Sequence, residues 1–189
     1  MSFVHLHVHS QYSLLEATCT AKQLAKSASD MGMPAVALTD YGNMYGSVEF
    51  YFACEAQGVK PILGLEVFLA PKGRLVKGED REAMHLPNTR LVLLAKSFKG
   101  YQNLCQISTI GFKEGFYYRP RVDLEVLKEF NQDLIALSGG LMGDVAYTFK
   151  NKGEAEAKEQ AQALRTQGYN SFYVPAQIKG TTWYRVSIG

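Results

Sequence analysis

Residues 34–69 read PAVALTDYGNMYGSVEFYFACEAQGVKPILGLEVFL, a stretch that alternates between strand and helix patterns. The apolar run at residues 34–39 is typical of a buried parallel strand, and a polar turn separates it from a helix over residues 46–57. Gly58 is well placed to end that helix, and residues 59–69 form the next apolar run. The stretch therefore predicts a β-α-β unit, in which a helix covers a parallel sheet.

The same alternation continues before and after this unit. Further strands are predicted at residues 3–8, 90–95 and 133–138, and further helices at residues 20–31, 99–110 and 123–130. Parallel strands with helices outside them form either a barrel or an open sheet, and both architectures place their chemistry where the strands end. We therefore predict an α/β fold with an incomplete or distorted β/α barrel of parallel strands.

The pattern changes toward the C-terminus. Residues 154–167 are rich in helix-forming residues, and the strands predicted at residues 171–178 and 181–188 are close enough to form a tight hairpin. An antiparallel hairpin fits poorly into a parallel barrel. We therefore predict one domain over residues 1–153, followed by a C-terminal helix and β-hairpin over residues 154–189.

The composition favours a globular protein without a strong preference for nucleic acid or membranes. The chain has 189 residues, of which 47% are hydrophobic, and its 20 basic and 18 acidic residues nearly balance. Its three cysteines have no CxxC spacing, which is typical of a reduced intracellular protein. No stretch approaches the ~18 apolar residues of a membrane helix, so we expect a soluble cytoplasmic protein.

Three of the four histidines lie close together near the start of the chain, in the sequence His5-Leu-His-Val-His9. In a strand, alternate side chains point to the same face, so the three imidazoles would share one face. Imidazoles that share a strand face can bind one metal ion. Asp40, Glu66 and Ser138 also lie at or just beyond predicted strand ends, which favours a metal or phosphate site there.

Seven short blocks follow one another along the first part of the chain. They are HLHVHSQYS at residues 5–13, GMPAVALTD at 32–40, GVKPILGLE at 58–66, LVLLAK at 91–96, GYQNL at 100–104, GFYYRPR at 115–121 and IALS at 135–138. In this order they resemble the PHP (polymerase and histidinol phosphatase) domain family, and within it the N-terminal domains of the alpha subunits of bacterial replicative DNA polymerases III. The resemblance implies a distorted seven-stranded β/α barrel. Active relatives hold up to three divalent metal ions and hydrolyse phosphoesters.

The resemblance also implies which side chains would bind metal. His7 and His9 match the first His-x-His pair of the family. Glu16 falls where the family places an acidic ligand, and Glu66 matches a later one. Imidazoles and carboxylates are suitable ligands for first-row divalent ions. These four residues are the predicted metal ligands.

Three other ligand positions of the family are substituted in this chain. Tyr41 stands in place of the histidine of Thr-Asp-His, and a phenol with a pKa of about 10 is a poor ligand at neutral pH. Arg90 replaces a histidine and stays protonated, and Gly140 replaces a cysteine. Because a catalytic ion needs about three protein ligands and an open position, we expect a degenerate site. No cofactor is expected, or at most a single divalent ion (Zn, Mn or Mg).

Arg90 also offers an alternative to metal binding, because a guanidinium between Glu16 and Glu66 could neutralise both carboxylates. Two hypotheses stay open: an ion-pair cluster within a structural and docking module for DNA replication, or a surviving metal-dependent phosphoesterase or 3′–5′ exonuclease. The resemblance implies partners among the other polymerase III holoenzyme subunits, the proofreading exonuclease in particular, and DNA in the parent protein. No membrane partner is expected. Exposed strand edges would permit a homodimer.

The remaining candidates have structural as well as functional interpretations. Tyr117, Tyr118, Arg119 and Arg121 interleave aromatic rings with cations, a combination that can bind single-stranded nucleic acid, whereas a packed loop explains them as well. His5 is expected to be a hydrogen-bonded structural histidine. Four other residues are expected to be structural or solvated: Asp40 in a turn, His85 in a polar loop, and Cys54 and Cys105 in the core.

Residues 154–189 resemble a second family. The helix and the following SFYVPAQIKGTTWYRVSIG at residues 171–189 are similar to the first helix and the next two strands of a SPOR domain, a small module that binds the glycan strands of peptidoglycan. Only this first half of such a module is present in the stretch. We therefore predict a SPOR-like segment after a truncated PHP domain, an arrangement that would make the chain a chimera.

Overall fold

The computed structural model describes residues 3–77, 87–166, 171–178 and 181–188. In chain order its elements are α1 (Ala21–Asp30), β1 (Ala35–Leu38), α2 (Ser47–Gln57), β2 (Lys60–Leu69), β3 (Thr89–Ala95), α3 (Phe98–Lys113), β4 (Arg121–Val122), α4 (Leu124–Glu129), β5 (Leu134–Leu137), a 3₁₀ turn (Gly140–Met142), α5 (Asp144–Lys152), α6 (Glu154–Thr166), β6 (Ser171–Ile178) and β7 (Thr181–Ile188). This order confirms the predicted α/β class. Within the described ranges, no helix is long and apolar enough to span a membrane.

The central sheet is mixed. Its strand order is β1-β2-β3-β5, and β4 lies beside the C-terminal end of β2. β1 and β4 run parallel to β2, whereas β3 is antiparallel to both β2 and β5. The prediction that all strands are parallel is therefore wrong for β3. A parallel pair needs a crossover connection, usually a helix, and the polar sequence between β2 and β3 predicts none.

The segment before α1 runs beside β1 without becoming a full strand. His5 forms a parallel bridge with Val36, and the amide of Thr39 donates to the carbonyl of Val8 at 2.8 Å. The strand predicted at residues 3–8 is thus reduced to a single bridge. Because the segment still follows β1, its later histidines come to lie near the C-terminal end of that strand.

The helices begin and end at residues whose local chemistry predicts it. Thr20 accepts a hydrogen bond from the amide of Gln23 and forms a capping box at the start of α1. Gly58 ends α2 in the left-handed conformation, with φ of 67°. Asp123 caps α4 by accepting a 3.2 Å hydrogen bond from the amide of Val126. The sequence does not predict α5, since its β-branched and aromatic residues have low helix propensity.

Hydrophobic packing holds the helices against the sheet. The main core lies between one face of the sheet and the helices that follow β3, and it includes the fully buried Leu65, Leu93 and Leu104. A second core joins α1 and α2 to β1 and includes the fully buried Ala25 and Phe50. Burial of each of these leucine and phenylalanine side chains stabilises the fold by roughly 1.5–3 kcal/mol.

The C-terminal elements comprise a packed helix and a hairpin. Ala157 of α6 is 6% exposed and belongs to the main core, and the amide of Gln160 donates to the carboxylate of Asp144 in α5. β6 and β7 pair in antiparallel fashion along their whole length, as predicted for a hairpin. The tight turn predicted from Lys179 and Gly180 lies outside the described residues.

The opposite face of the sheet carries the polar groups of the candidate site. Glu66 in β2 lies opposite Val92 in β3, and Phe68 lies opposite Arg90, so these side chains share one face. Tyr41, just after β1, forms a parallel bridge with Glu66. The strand register therefore brings an acid, a cation and a phenol to the same part of the sheet.

Candidate metal centre

Three of the four predicted metal ligands lie together on this polar face. Nε2 of His7 and Nε2 of His9 lie 2.5 Å and 2.7 Å, respectively, from the same oxygen of Glu66, Oε2. The ligand atoms of the three residues all lie within 4.8 Å of one another. The two imidazoles reach one carboxylate because residues two positions apart in an extended segment point the same way. The arrangement can hold a cation or a shared proton.

Glu66 is the buried acid of this cluster, with a side chain only 1% exposed. Burial by itself raises the pKa of the Glu66 carboxyl, but hydrogen bonds and charge from His7 and His9 outweigh that effect and hold the pKa below its usual range. The group is therefore a carboxylate at neutral pH. A buried carboxylate needs a positively charged or hydrogen-bonding partner.

Arg90 provides such a partner from the neighbouring strand. Its Nη1 atom lies 3.9 Å from Oε1 of Glu66 and donates a 2.7 Å hydrogen bond to the hydroxyl of Tyr41. The guanidinium carbon lies 4.5 Å from the centroid of the Tyr41 ring, and that ring stacks on His9 with centroids 4.1 Å apart. Two of the three substituted positions, Tyr41 and Arg90, are therefore in contact with retained ligands.

The Tyr41 hydroxyl is neutral in this environment. Burial raises its pKa, and the negative charge of Glu66 raises it further, against a smaller opposing effect of Arg90. A neutral phenol can accept the hydrogen bond from Arg90, but it is a poor metal ligand. Tyr41 therefore acts as a partner of Arg90 and does not replace the missing imidazole.

Glu16, the fourth predicted ligand, lies apart from the cluster. Its side chain is 42% exposed and pairs with Arg119, whose Nη2 atom lies 3.7 Å from the Glu16 Oε1. Among the described residues, no ion pair joins Glu16 to Arg90, so the predicted bridge by Arg90 is limited to Glu66. The loop turns at Ser13, whose carbonyl accepts from the Glu16 amide, and this turn leaves the Glu16 side chain at the rim.

Gly140 supplies no ligand and begins the 3₁₀ turn after β5. Its φ of 69° is in the left-handed region, and no atom lies within 4 Å of the position that a Cβ would take. The residues that are present thus offer an ion two imidazoles and one carboxylate, a donor set found in catalytic zinc sites. Within the described residues, these three side chains form the one such group that could hold an ion.

Asp40 holds the loop that carries His9. It is 2% exposed, and its carboxylate accepts hydrogen bonds of 2.7 Å from the amide of Ser10, the hydroxyl of Ser10 and the hydroxyl of Ser13. This agrees with the structural role predicted for Asp40. The roles of the two serines are not predicted, although their place just after the histidine motif is a usable signal, because short hydroxyl side chains often bond to nearby turns.

The alternative nucleic-acid residues do not form one exposed surface. Arg121 is 6% exposed, and its Nε atom donates to the carbonyl of Gly115, contacts that favour the packed-loop interpretation for this residue. The Tyr117 ring lies 5.3 Å from the Arg121 guanidinium. Tyr118 is exposed, whereas Arg119 is engaged with an acid at the rim of the centre.

His5, Cys54 and Cys105 are described by the structure and lie outside the cluster of His7, His9 and Glu66. His5 is exposed, and its ring contacts the edge of Phe3 at a centroid distance of 4.7 Å, in place of the expected hydrogen-bonded environment. Cys54 is buried as predicted, whereas Cys105 is only half-buried. His85 lies outside the described residues.

The sequence is similar to DNA polymerase III alpha subunits of several bacteria. It is 43% identical over 159 residues to the subunit of Chlamydia muridarum (strain MoPn / Nigg), an alignment that covers 84% of this chain and 13% of the relative. It is 40% identical over 184 residues to the subunit of Treponema pallidum (strain Nichols), which covers 95% of this chain and 15% of the relative. The chain thus spans 13% to 15% of the length of these relatives.

A solved structure of a candidate metal-dependent phosphoesterase from Bifidobacterium adolescentis aligns with 88% of this chain and 64% of its own, at a TM-score of 0.42 and 12% identity. The PHP domain family matches residues 5–177. This match and the Treponema alignment both extend past residue 153, and none of these comparisons supports a SPOR-like segment. Because the family match covers most of the chain, including His7, His9 and Glu66, the chain belongs to the PHP domain family.

Proposed function

We propose that this chain serves as the PHP module of a bacterial DNA polymerase III alpha subunit and acts as a structural and docking part of the replication machinery in the cytoplasm. The proposal is supported by identities of 40% and 43% to such subunits over most of the chain. We further propose that the module does not hydrolyse phosphoesters by itself.

The position of Arg90 carries this second part of the proposal. Metal-dependent phosphoester hydrolysis needs a cation that activates water and positive charge that stabilises the transition state. Here the guanidinium of Arg90 faces Glu66 at 3.9 Å and is bonded to Tyr41, so much of its charge is neutralised within the protein. The cluster is better suited to joining β2, β3 and the N-terminal segment than to turnover.

Hydrolysis assays with bis(p-nitrophenyl) phosphate and with 3′-labelled single-stranded DNA test this proposal. We expect no product above the blank in Mn²⁺ or Zn²⁺ from the wild-type chain, from His9→Ala, or from the matched control His5→Ala. His9 lies in the cluster, whereas His5 is exposed outside it. Metal-dependent release that His9→Ala abolishes and His5→Ala retains would contradict the proposal.

A one-ion phosphoesterase or 3′–5′ exonuclease is the second candidate function, and the cluster of His7, His9 and Glu66 favours it. An ion held by these residues would supply Lewis acidity. Arg90 would then orient a substrate phosphate through its planar donors. The same assays decide between the two candidates, since only this one expects turnover that depends on His9.

The proposed partners are the other polymerase III holoenzyme subunits, with the proofreading exonuclease as the first to test. A mixture of the two proteins at tens of micromolar is expected to co-elute in size-exclusion chromatography with light scattering. Separate elution would contradict direct docking. A homodimer through exposed strand edges is a further proposal. Light scattering on the chain alone would contradict it if the molar mass equals that of the monomer over a hundredfold range of protein concentration.

The division at residue 153 and the SPOR-like character of residues 154–189 remain predictions. The packing of Ala157 into the main core does not favour a separate unit that begins at residue 154. Limited proteolysis tests the division: a stable fragment that ends near residue 153 would support it, and protection through α6 would contradict it. Retention of the chain on glycan strands without stem peptides would support the SPOR-like character.

A further inference from the structure

The Arg90 guanidinium is fixed on the polar face of the sheet by aromatic rings as well as by charge. It donates to the Tyr41 hydroxyl at 2.7 Å, and its central carbon lies 4.5 Å from the Tyr41 ring centroid and 5.7 Å from that of Phe68. Its side chain is 20% exposed. Arg90 is therefore a positioned cation, unlike a surface arginine that samples many rotamers.

The two oxygens of the Glu66 carboxylate have different partners. Oε2 contacts the imidazoles of His7 and His9, whereas Oε1 faces the guanidinium of Arg90. An ion shared by the two histidines and Glu66 would therefore bind on the Oε2 side. The Oε1 side is where Glu66 would need to bind a second ion if it were to bridge two.

Arg90 obstructs this second position. Carboxylate oxygens bind ions of the size of zinc at about 2.0–2.2 Å. An ion between Oε1 of Glu66 and Nη1 of Arg90, which are 3.9 Å apart, would therefore lie about 2 Å from the guanidinium. That distance is shorter than any non-bonded contact, and it brings two positive charges together. Tyr41 adds no compensating ligand, because its hydroxyl is engaged by the hydrogen bond from Arg90.

We propose that Arg90 is a built-in cation that takes the place of a second divalent ion, with Tyr41 as the residue that positions it, so that the centre holds one divalent ion at most. The inference rests on the proposed function, since it gives a physical reason for a PHP module without turnover. It concerns the number of bound ions, which can be measured without a reaction.

Metal stoichiometry of the full 189-residue chain tests the proposal. Mn²⁺ is titrated into metal-free protein by calorimetry, and bound metal is counted by elemental analysis after dialysis. We expect the wild-type chain to bind no more than one equivalent. The double variant Tyr41→His/Arg90→His removes the cation and supplies two imidazoles, so it should bind at least one equivalent more than wild type.

A second variant separates the charge from the added ligands. Arg90→Gln removes the cation without adding an imidazole, and it should bind Mn²⁺ at least tenfold more tightly than wild type, or detectably where wild type does not. Lys150→Gln is the matched control, because it removes a positive charge from the exposed end of α5, and its affinity should equal that of wild type. Circular dichroism and thermal unfolding establish that each variant is folded.

Two or more equivalents in the wild-type chain would overturn the proposal. The proposal would also be overturned if the folded double variant binds the same number of Mn²⁺ ions as wild type, or if Arg90→Gln binds Mn²⁺ with the same affinity as wild type. These results are distinct from a failure of the proposed function. If the chain binds one ion and hydrolyses phosphoesters, only the proposed function is wrong. If it binds two ions without turnover, only this inference is wrong.

Discussion

At the scale of single residues, two buried carboxylates organise the candidate centre. Asp40 and Glu66 are 2% and 1% exposed, and each is surrounded by hydrogen-bonding partners. Asp40 binds the loop through Ser10 and Ser13, and Glu66 collects the imidazoles on the adjacent segment. Because buried acids need donors that reach them, these hydrogen bonds stabilise the conformation of the loop.

The substitution Asp40→Ala should lower the free energy of unfolding by about 3 kcal/mol, because it leaves a buried amide and two buried hydroxyls without their acceptor. Urea denaturation measures the change. Asp30→Ala is the control: Asp30 pairs with Lys26 on the surface of α1, and its loss should cost no more than about 0.5 kcal/mol. Equal effects of the two substitutions would show that the Asp40 network does not stabilise the fold.

The thiol of Cys54 should be unreactive in the folded protein. Burial raises its pKa to about 11, so little thiolate is present at pH 8 and access is blocked. Cys19 and Cys105 are only partly buried. We expect Ellman's reagent to modify these two thiols in native protein and all three in urea. Rapid modification of all three thiols without denaturant would contradict the buried position of Cys54.

At the scale of elements, most helix ends are predictable from local sequence, with α5 as an exception, and strand direction is harder to predict. The caps at Thr20, Gly58 and Asp123 follow from side-chain chemistry within a few residues, and the structure has all three. The reversed direction of β3 depends on the connection from β2, whose sequence predicts no crossover helix, and the apolar pattern of β3 itself does not indicate it. The N-terminal segment forms a single bridge with β1, although β1 pairs with β2 over all four of its residues.

Asp123 should contribute to stability in a pH-dependent way. Burial raises the pKa of its carboxyl, but hydrogen bonds from the Arg74 and Val126 amides and the charge of Arg74 outweigh burial and hold that pKa below its usual value. Because the folded-state pKa lies below the unfolded value of about 3.9, the stabilisation is complete above about pH 4 and is lost as the pH falls through the folded pKa.

The variant Asp123→Asn keeps a capping side chain and removes the charge. It should be less stable than wild type by about 1 kcal/mol at pH 7, and the difference should shrink as the pH is lowered toward 3. Urea midpoints measured from pH 7 to pH 3 test this, with Asp30→Asn as a surface control. A difference that is independent of pH would mean that the Asp123 charge does not stabilise the folded state.

At the scale of the whole molecule, the sheet divides an apolar core from a polar site. Leu65 and Leu91 point to the helices, whereas their neighbours Glu66 and Arg90 point to the site. This alternation follows from the period of two along a strand. α6 extends the main core through Ala157, so the packed body continues past residue 153.

The main core should depend on Leu104 of α3. Leu104→Ala removes a fully buried side chain and should lower the free energy of unfolding by about 3 kcal/mol with an unchanged denaturant m-value. Leu15→Ala is the matched control, because Leu15 is fully exposed, and it should have no measurable effect. A loss below 1 kcal/mol for Leu104→Ala would indicate that α3 is not packed as described.

The sequence by itself determined the α/β class, most helix ends and the residues His7, His9 and Glu66, because these depend on local periodicity, side-chain chemistry and ordered motifs. Only the tertiary structure decided that β3 is reversed, that Glu16 pairs with Arg119 and that Arg121 is buried. Those outcomes depend on which distant segments meet, and a side chain's partner across the fold is set by packing and register, which no single stretch of sequence specifies.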